Sequence, residues 1–196
     1  MKYSGFWRKN NIYHNFPDMA GREISAYFRF RLPKSNKLTI KVALSAVSQS
    51  GAVANLNAEA AGLTFEQVKA RATENWTKEL TGLEIEGTDD QKALFYTSLY
   101  HTMINPSVYM DVDGKYRGND IEIHQADGFT NYTIFSLWDT YRAAMPLYSI
   151  FQSERYTDFI NTMLSIYKHQ GKLPVWHLHG CETNCMVGNP GIPPVA

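Results

Sequence analysis

The sequence has little cysteine and no excess of charge of either sign. Its 196 residues include two cysteines, and 19 Lys and Arg balance 19 Asp and Glu, so the formal net charge is zero. Two cysteines are too few for a disulfide framework. A neutral chain also offers no electrostatic footprint for nucleic acid or for an anionic membrane surface. We therefore expect no nucleic-acid partner.

Long apolar runs are missing as well. No run approaches the roughly 20 residues that a membrane-spanning helix needs, so no membrane span is predicted. The opening residues MKYSGFWRKN lack the apolar core of a signal peptide. Hydrophobic residues make up 44% of the chain and charged residues 19%, which are ordinary values for a folded globular protein.

The N-terminal quarter has the alternating pattern of β-strands. Apolar and polar residues alternate over 24–32 and again over 38–44, with the turn-forming segment PKSNK between them. This pattern predicts an antiparallel hairpin. Because two strands are marginally stable alone, we interpret residues 1–50 as the C-terminal part of a larger β-domain.

Helical signals follow. Thr64 with Gln67, and Thr88 with Gln91, fit capping boxes that open two helices. Later, the pattern predicts a buried helix over 133–150, ended or kinked at Pro146, and another from a Ser153 cap to Gly171. Strands followed by helices predict an α+β fold with segregated domains.

The segment 108–118 reads as a strand, a turn at Asp113-Gly114 and a return strand. Asp111-Val112-Asp113-Gly114 also opens like a calcium-binding loop. The later glycine and bidentate glutamate of an EF-hand are missing, so the turn is the favoured interpretation.

A dense polar cluster occupies 174–188. Its histidines and cysteines have the spacing H-x-H-x-C-x-x-x-C, formed by His177, His179, Cys181 and Cys185. Imidazole and thiolate suit zinc, although this spacing matches no common zinc motif. The alternative is a loop with two hydrogen-bonded histidines and two free thiols.

Glu182 lies inside that cluster, near Trp176 in the sequence. A carboxyl group among aromatic and sulfur neighbours is partly desolvated, and desolvation favours the protonated form that a general acid needs. An exposed or ion-paired glutamate is the alternative.

Trp138 and Asp139 form a second candidate site. An indole plate beside a carboxylate suits a sugar, whose C–H face stacks on the ring while hydroxyls donate to the acid. Arg142 lies three residues after Asp139, so a simple ion pair on one helix face is the alternative.

Three long segments, in this order, resemble glycoside hydrolase family 92. They are FYTSLYHTMINPSVYMDVDGKYRG, IHQADGFTNYTIFSLWDTYRAAMPL, and LPVW followed by GCETNCMVG. Members of this family are calcium-dependent exo-acting α-mannosidases, chiefly specific for α-1,2 linkages. The resemblance implies the end of a β-sandwich over 1–50, a helical linker over 51–106 and the start of an (α/α)6 barrel over 107–196.

The resemblance also implies a mechanism. These enzymes invert the anomeric centre: one carboxylic acid protonates the glycosidic oxygen, and a carboxylate activates water on the opposite face of the ring. By resemblance, Glu182 is the general acid, and Trp138 and Asp139 contact the terminal mannose of a mannose-containing glycan. Cys181 and His177 depart from the family pattern, which leaves the linkage open.

By the same resemblance, the catalytic base and the main calcium ligands lie further along a longer chain. We therefore expect these 196 residues to be a fragment with negligible activity alone, whose parent is secreted, periplasmic or on the cell surface. A different class of protein, a non-catalytic metal-binding or carbohydrate-binding module, remains the competing hypothesis.

Overall fold

A computed structural model describes residues 3–196, which fold as an α+β chain. Contacts divide the chain into two units, one up to Ile40 and one from Lys41 to Ala196. The strands are β1 (Tyr3–Arg8), β2 (Asn11–His14), β3 (Ile24–Arg29), β4 (Ser107–Val108), β5 (Lys115–Arg117), β6 (Ile123–Gln125), β7 (Tyr132–Thr133), β8 (Phe135–Ser136), β9 (Trp176–Leu178) and β10 (Cys181–Glu182). The helices are α1 (Gln49–Glu59), α2 (Phe65–Leu80), α3 (Asp89–Thr102), α4 (Leu137–Thr140), α5 (Ala144–Phe151), α6 (Ser153–Gln170) and α7 (Ile192–Val195).

The first unit is a three-stranded antiparallel sheet in the order β2-β1-β3. The strand predicted around 24–32 is confirmed as β3, but its hairpin with 38–44 is wrong. β3 pairs with β1, and residues 38–44 form no strand; Ile40 and Leu44 leave 64% and 83% of their surface exposed. Alternation shows which face of a strand is apolar, but it does not determine which strand lies alongside.

Two helices of the second unit begin at the predicted capping boxes. The Gln67 backbone N–H donates to Thr64 Oγ1 at 3.3 Å, and the Thr64 N–H donates to Gln67 Oε1 at 2.8 Å. Thr88 and Gln91 repeat the exchange at 3.3 and 2.9 Å. Each exchange satisfies two N–H groups that helix geometry leaves free, so α2 and α3 start where the local sequence says.

The turn at Asp113-Gly114 is also confirmed. Gly114 has φ of +82°, and its N–H donates to the Asp111 carbonyl at 2.8 Å. The return strand β5 pairs with β6, and across the turn the Asp111 N–H donates to the Lys115 carbonyl at 2.8 Å. The predicted order of strand, turn and return strand is therefore right, but the main partner of β5 is β6.

Asp111 is a buried anchor and not the first ligand of a loop. Only 5% of its surface is exposed. Its carboxylate accepts hydrogen bonds from Ser45 Oγ at 2.7 Å and from Asn55 Nδ2 at 2.9 Å. These bonds tie α1 to the turn and give each oxygen of the buried carboxylate a protein donor.

Lys41 stabilises the other end of α1. Its ammonium group donates to the backbone carbonyls of Ala60, Ala61 and Leu63 at 2.6–2.7 Å. Carbonyls at the end of a helix lack partners within the helix, and a cation there also interacts favourably with the helix dipole.

The main core lies between α5, α6 and the short strands. Its buried members are Tyr132, Phe135, Leu137, Met145, Tyr148, Phe159, Met163 and Ile166. Within residues 3–196, no helix is both long and apolar enough to cross a bilayer.

The predicted helix over 133–150 is wrong in its extent. The segment splits into β7, β8, α4 and α5, and Pro146 sits in the first turn of α5 instead of ending a helix. Proline is tolerated in the first turn, because the N–H that it lacks has no partner there. In α6, Gly171 caps the end with φ of +78° as predicted, but Ser153 makes no capping hydrogen bond.

Candidate active site

Three short strands bring two of the sequence motifs together. The sheet has the order β10-β9-β8, with both pairs antiparallel. Glu182 lies opposite His177, and Ser136 lies opposite Trp176. The Leu137 N–H extends the ladder by donating to the Val175 carbonyl at 3.1 Å. The ETN segment and the SLWDT segment therefore flank one central strand.

Backbone amides fix the carboxyl group of Glu182. Oε1 accepts from the N–H groups of Trp176 at 3.0 Å and Asn184 at 2.9 Å, and Oε2 accepts from Val175 at 2.9 Å. A carboxyl oxygen has two lone pairs, so Oε2 retains one position at which a proton can reside. The side chain is partly buried. Glu182 is thus held in one orientation with one oxygen that is not fully engaged.

Trp138 and Asp139 lie on the short helix α4, directly after β8. Asp139 is exposed and accepts a hydrogen bond from Ser136 Oγ. The Arg142 guanidinium lies over the Trp138 ring at 5.7 Å and over the Tyr141 ring at 5.0 Å. Asp139 therefore has a hydroxyl partner within its own motif, while Arg142 stacks on aromatic rings.

The two motifs connect through one pair of residues. Ser136 donates to Asp139 and is the register partner of Trp176, whose N–H donates to Glu182. A displacement of β9 against β8 would therefore move the general-acid candidate relative to the sugar-binding candidate.

A cavity of about 280 Å³ opens beside this sheet. Its lining includes Ser136, Thr140 and Trp176, but not Trp138, Asp139 or Glu182. The Trp176 indole Nε1 is buried and has no hydrogen-bond partner among the described residues. An unpaired buried donor is destabilising.

His177 is the buried histidine of the central strand. Only 3% of its surface is exposed, and Nε2 lies 2.9 Å from Asn119 Oδ1. Because Asn119 Oδ1 is an acceptor, Nε2 carries the proton and Nδ1 is a lone pair, which has no partner among the described residues. Burial lowers the pKa of His177 from 6.5 to about 4, against a smaller opposing effect of Glu182. The ring is neutral at physiological pH.

The four residues of the H-x-H-x-C-x-x-x-C motif do not converge on one point in residues 3–196. His177 bonds to Asn119, and the exposed His179 packs its ring against Tyr109. Both cysteines are free and exposed, with Cys185 Sγ 3.2 Å from Thr183 Oγ1. The strand pairing of 176–182 separates these side chains, so the spacing alone was misleading.

A different group could hold a metal ion. Asp120, His124 and His169 each place one ligand atom within 4.8 Å of the others. Among the described residues, this is the cluster of His, Cys, Asp or Glu side chains that could hold a metal ion. Sequence reasoning missed it because His169 lies far along the chain from the other two; Asp120 and His124, four residues apart, were the available signal. With two imidazoles, the group does not fit calcium, which prefers oxygen ligands.

The chain is similar to known glycoside hydrolases over most of its length. A profile described as the glycosyl hydrolase family 92 catalytic domain matches residues 51–196. The family GH92 α-mannosidase BT3965 from Bacteroides thetaiotaomicron is 34% identical with a TM-score of 0.81, and the match covers 96% of this chain and 26% of that one. BT3965 is also known in complex with mannoimidazole.

A second solved relative agrees. The family GH92 inverting mannosidase BT2199 from Bacteroides thetaiotaomicron VPI-5482 is 29% identical with a TM-score of 0.87, covering 97% of this chain and 26% of that one. A search of curated proteins gave no match. The fold and the matched profile place the chain in a family of glycoside hydrolases. The chain belongs to glycoside hydrolase family 92, and it spans about a quarter of the length of these relatives.

Proposed function

We propose that this chain supplies the general-acid side of the catalytic centre of an inverting exo-α-mannosidase that cleaves terminal α-1,2-linked mannose from glycans. The observation that carries the proposal is the placement of Glu182: three backbone amides fix its orientation on one side of β9, and the SLWDT segment begins on the other side. Membership of family 92 and the inverting mannosidase BT2199 support the reaction class.

In this proposal Glu182 protonates the glycosidic oxygen as the bond to the leaving sugar breaks. Oε2 would carry the proton at the lone pair that the Val175 N–H does not use, while the Trp176 and Asn184 amides hold Oε1. An inverting enzyme needs a second carboxylate about 6.5–9.5 Å away to activate water. By the family resemblance, that base and the calcium ligands lie outside these residues, so the 196 residues alone would show negligible hydrolysis.

The finer domain assignment belongs to the same proposal. Residues 1–50 would be the C-terminal part of a β-sandwich, 51–106 a helical linker and 107–196 the N-terminal part of an (α/α)6 barrel. Family resemblance supports this division, as does the order of the elements, with a small sheet first and most of the helices after it.

The decisive variant is Glu182→Gln in the protein at its natural length. Glutamine keeps the shape of the side chain and its carbonyl oxygen but cannot donate an acidic proton. We expect kcat/KM on a mannobioside, whose leaving sugar needs protonation, to fall by about 10²–10⁴-fold. With α-mannosyl fluoride the loss should be far smaller, because fluoride departs without a general acid.

The matched control is Glu74→Gln, an exposed glutamate in the middle of α2, which should leave both rates unchanged. Proton NMR of the first-formed mannose reports the anomer and tests inversion. Equal losses on both substrates, or full activity of Glu182→Gln, would contradict the acid assignment.

The sugar-binding roles of Trp138 and Asp139 have a separate test. Mannoimidazole binds the relative BT3965, so its affinity can be measured here by calorimetry. We expect Trp138→Ala to weaken binding about tenfold or more, the effect of losing roughly 1.4 kcal/mol of stacking. Tyr167→Ala, on an exposed ring of α6, is the control and should bind normally. Undiminished binding by Trp138→Ala and Asp139→Asn would exclude both residues from the sugar site.

Calcium dependence is supported by the family resemblance and not by a ligand set in residues 3–196. Chelation with EGTA should abolish mannoside hydrolysis by the protein at its natural length, and added calcium should restore it. Activity that survives chelation would remove calcium from the proposal.

A further inference from the structure

Asp120, His124 and His169 lie outside the proposed sugar site and come from three separate elements. Asp120 belongs to the loop between β5 and β6, His124 to β6 and His169 to the last turn of α6. One ligand atom from each lies within 4.8 Å of the other two. Three separate elements therefore converge on one point.

The spacing is close to that of a bound ion. Both carboxylate oxygens of Asp120 lie 3.0 Å from His124 Nε2. Two ligands of one tetrahedral zinc ion, each about 2.0–2.2 Å from the metal, are about 3.4 Å apart. A metal ion lies in the plane of each imidazole that binds it, so the stacked rings of His124 and His169 must rotate apart before both nitrogens can reach one ion.

The surroundings hold the two imidazoles in place. Their rings stack with centroids 3.9 Å apart and planes inclined by 17°. The buried Tyr116 packs against both rings, at 5.7 Å from His124 and 6.2 Å from His169. Tyr116 is also the cross-strand partner of His124. The register of the β-sheet therefore holds His124 next to the same tyrosine that packs against His169.

Gly118 shows how tightly the group is built. A Cβ atom at this position would lie 2.6 Å from Asp120 Oδ1 and 2.7 Å from His124 Cδ2. A residue with a side chain would therefore displace two of the three ligands. The side chains of His124 and Asp120 still leave 28% and 31% of their surface exposed, so an ion has an entry path.

The donor set selects the kind of ion. Two imidazoles and one carboxylate suit zinc and similar transition metals, and an open fourth position would take water. An Asp–His ion pair by itself would account for Asp120 and His124, but not for the presence of His169 at the same point.

We propose that Asp120, His124 and His169 form a binding site for a zinc-class divalent metal ion. The site ties the β5–β6 hairpin to the end of α6. Asn119, next to Asp120, donates to Gln170 Oε1 at 2.9 Å, and its Oδ1 lies 2.9 Å from His177 Nε2. Metal binding therefore also steadies the loop that holds the central strand of the candidate active site.

The first test is direct and needs no variant. The protein is loaded with one equivalent of ZnCl2, and X-ray absorption at the zinc edge reports the ligands. We expect nitrogen and oxygen ligands at about 2.0–2.2 Å, with the outer scattering of imidazole rings and no sulfur at about 2.3 Å. A zinc–sulfur distance would place the ion at Cys181 or Cys185 and overturn the proposal.

Calorimetric titration with ZnCl2 gives the stoichiometry and the affinity. We expect one zinc site, weakened at least about 100-fold by His124→Gln and by His169→Gln, and excess CaCl2 should not displace the bound zinc. His179→Gln is the matched control, because it removes an exposed histidine of the rival motif, and its affinity should be unchanged. Zinc should also raise the melting temperature of the wild type but not of His169→Gln.

The proposal is overturned if the protein binds no stoichiometric zinc, or if the Asp120→Asn, His124→Gln and His169→Gln variants keep full zinc affinity. In either case the three residues form only an Asp–His ion pair with a stacked imidazole beside it. Circular dichroism of each variant verifies that it is folded. If the variants fail to fold, the absorption experiment on the wild type still decides the outcome.

Discussion

Gly51 is a position where the surrounding atoms leave no room for a side chain. A Cβ atom on Gly51 would lie 2.1 Å from Asp111 Oδ2 and 2.8 Å from Ser45 Oγ. Those two atoms form the hydrogen bond that buries the Asp111 carboxylate against α1. Gly51 is thus required by the anchor and not by its own backbone conformation.

We predict that Gly51→Ala lowers the free energy of unfolding by about 1–3 kcal/mol, because the methyl group forces the buried carboxylate away from its partner. Urea unfolding measures the change. Gly62→Ala is the matched control: a Cβ there meets nothing within 4 Å, so the change should be neutral or slightly stabilising. Equal effects at the two glycines would contradict the anchor.

His177 makes stability depend on pH. Its folded-state pKa of about 4 lies below the ordinary 6.5, so the unfolded chain takes up this proton first as the pH falls. The contribution of the neutral His177 ring to the free energy of unfolding is complete above pH 6.5 and is lost as the pH falls from 6.5 towards 4. Its full size is about 3 kcal/mol.

We predict that His177→Gln, which removes this titration, flattens the pH dependence of unfolding between pH 6.5 and 4. Urea unfolding at several pH values measures the slope for both proteins, so a uniform loss of stability in the variant does not affect the comparison. Identical slopes would show that His177 titrates normally in the folded state.

At the scale of elements, the capping boxes make the helix starts a local property. Thr88→Ala removes the oxygen that accepts the Gln91 N–H and should cost about 1 kcal/mol of stability, measured by urea unfolding. Thr73→Ala is the control: its hydroxyl bonds to Lys69 within the exposed middle of α2, and alanine favours a helix interior. A loss at Thr73 as large as that at Thr88 would contradict the capping role.

The features that were predictable from the sequence are the helix ends that depend on residues within one helical turn of each other. The starts of α2 and α3 and the end of α6 at Gly171 follow from residues no more than four positions apart. The hairpin at 24–44 and the helix at 133–150 failed because distant strands decided them: β1 pairs with β3, and β9 pairs with β8. Local propensity competes poorly with such tertiary pairing.

The same distinction applies to the site. Glu182, Trp138 and Asp139 were found because long motifs carry them, and their roles remain a proposal. The group of Asp120, His124 and His169 depends on the packing of α6 against the β5–β6 hairpin, which no spacing in the sequence indicates.

At the scale of the whole molecule, the segment after β3 is the exposed connection. Residues 30–44 lie outside helices and strands, and Arg31, Lys34 and Lys37 are exposed. Lys41, by contrast, is held by three carbonyl oxygens. Proteases favour exposed segments that lack regular structure.

We therefore predict that brief digestion with trypsin cuts first after Arg31, Lys34 or Lys37, and later after Lys41, whose side chain must leave its carbonyl partners to enter the protease. Mass spectrometry of the early fragments identifies the sites. Early cleavage after Lys69 or Arg71, within α2, would contradict this order.

The pairing of β8 with β9 affects the order in which the chain folds. The two strands are joined by a segment that contains α4, α5 and α6, and closing such a long loop costs entropy that only later contacts repay. Packing of the three helices brings the ends of this loop closer together, so we expect it to precede the pairing of the strands. Glu182 takes its amide partners from Val175, Trp176 and Asn184, close to it in the chain, whereas its alignment with the SLWDT segment depends on the closure of the long loop.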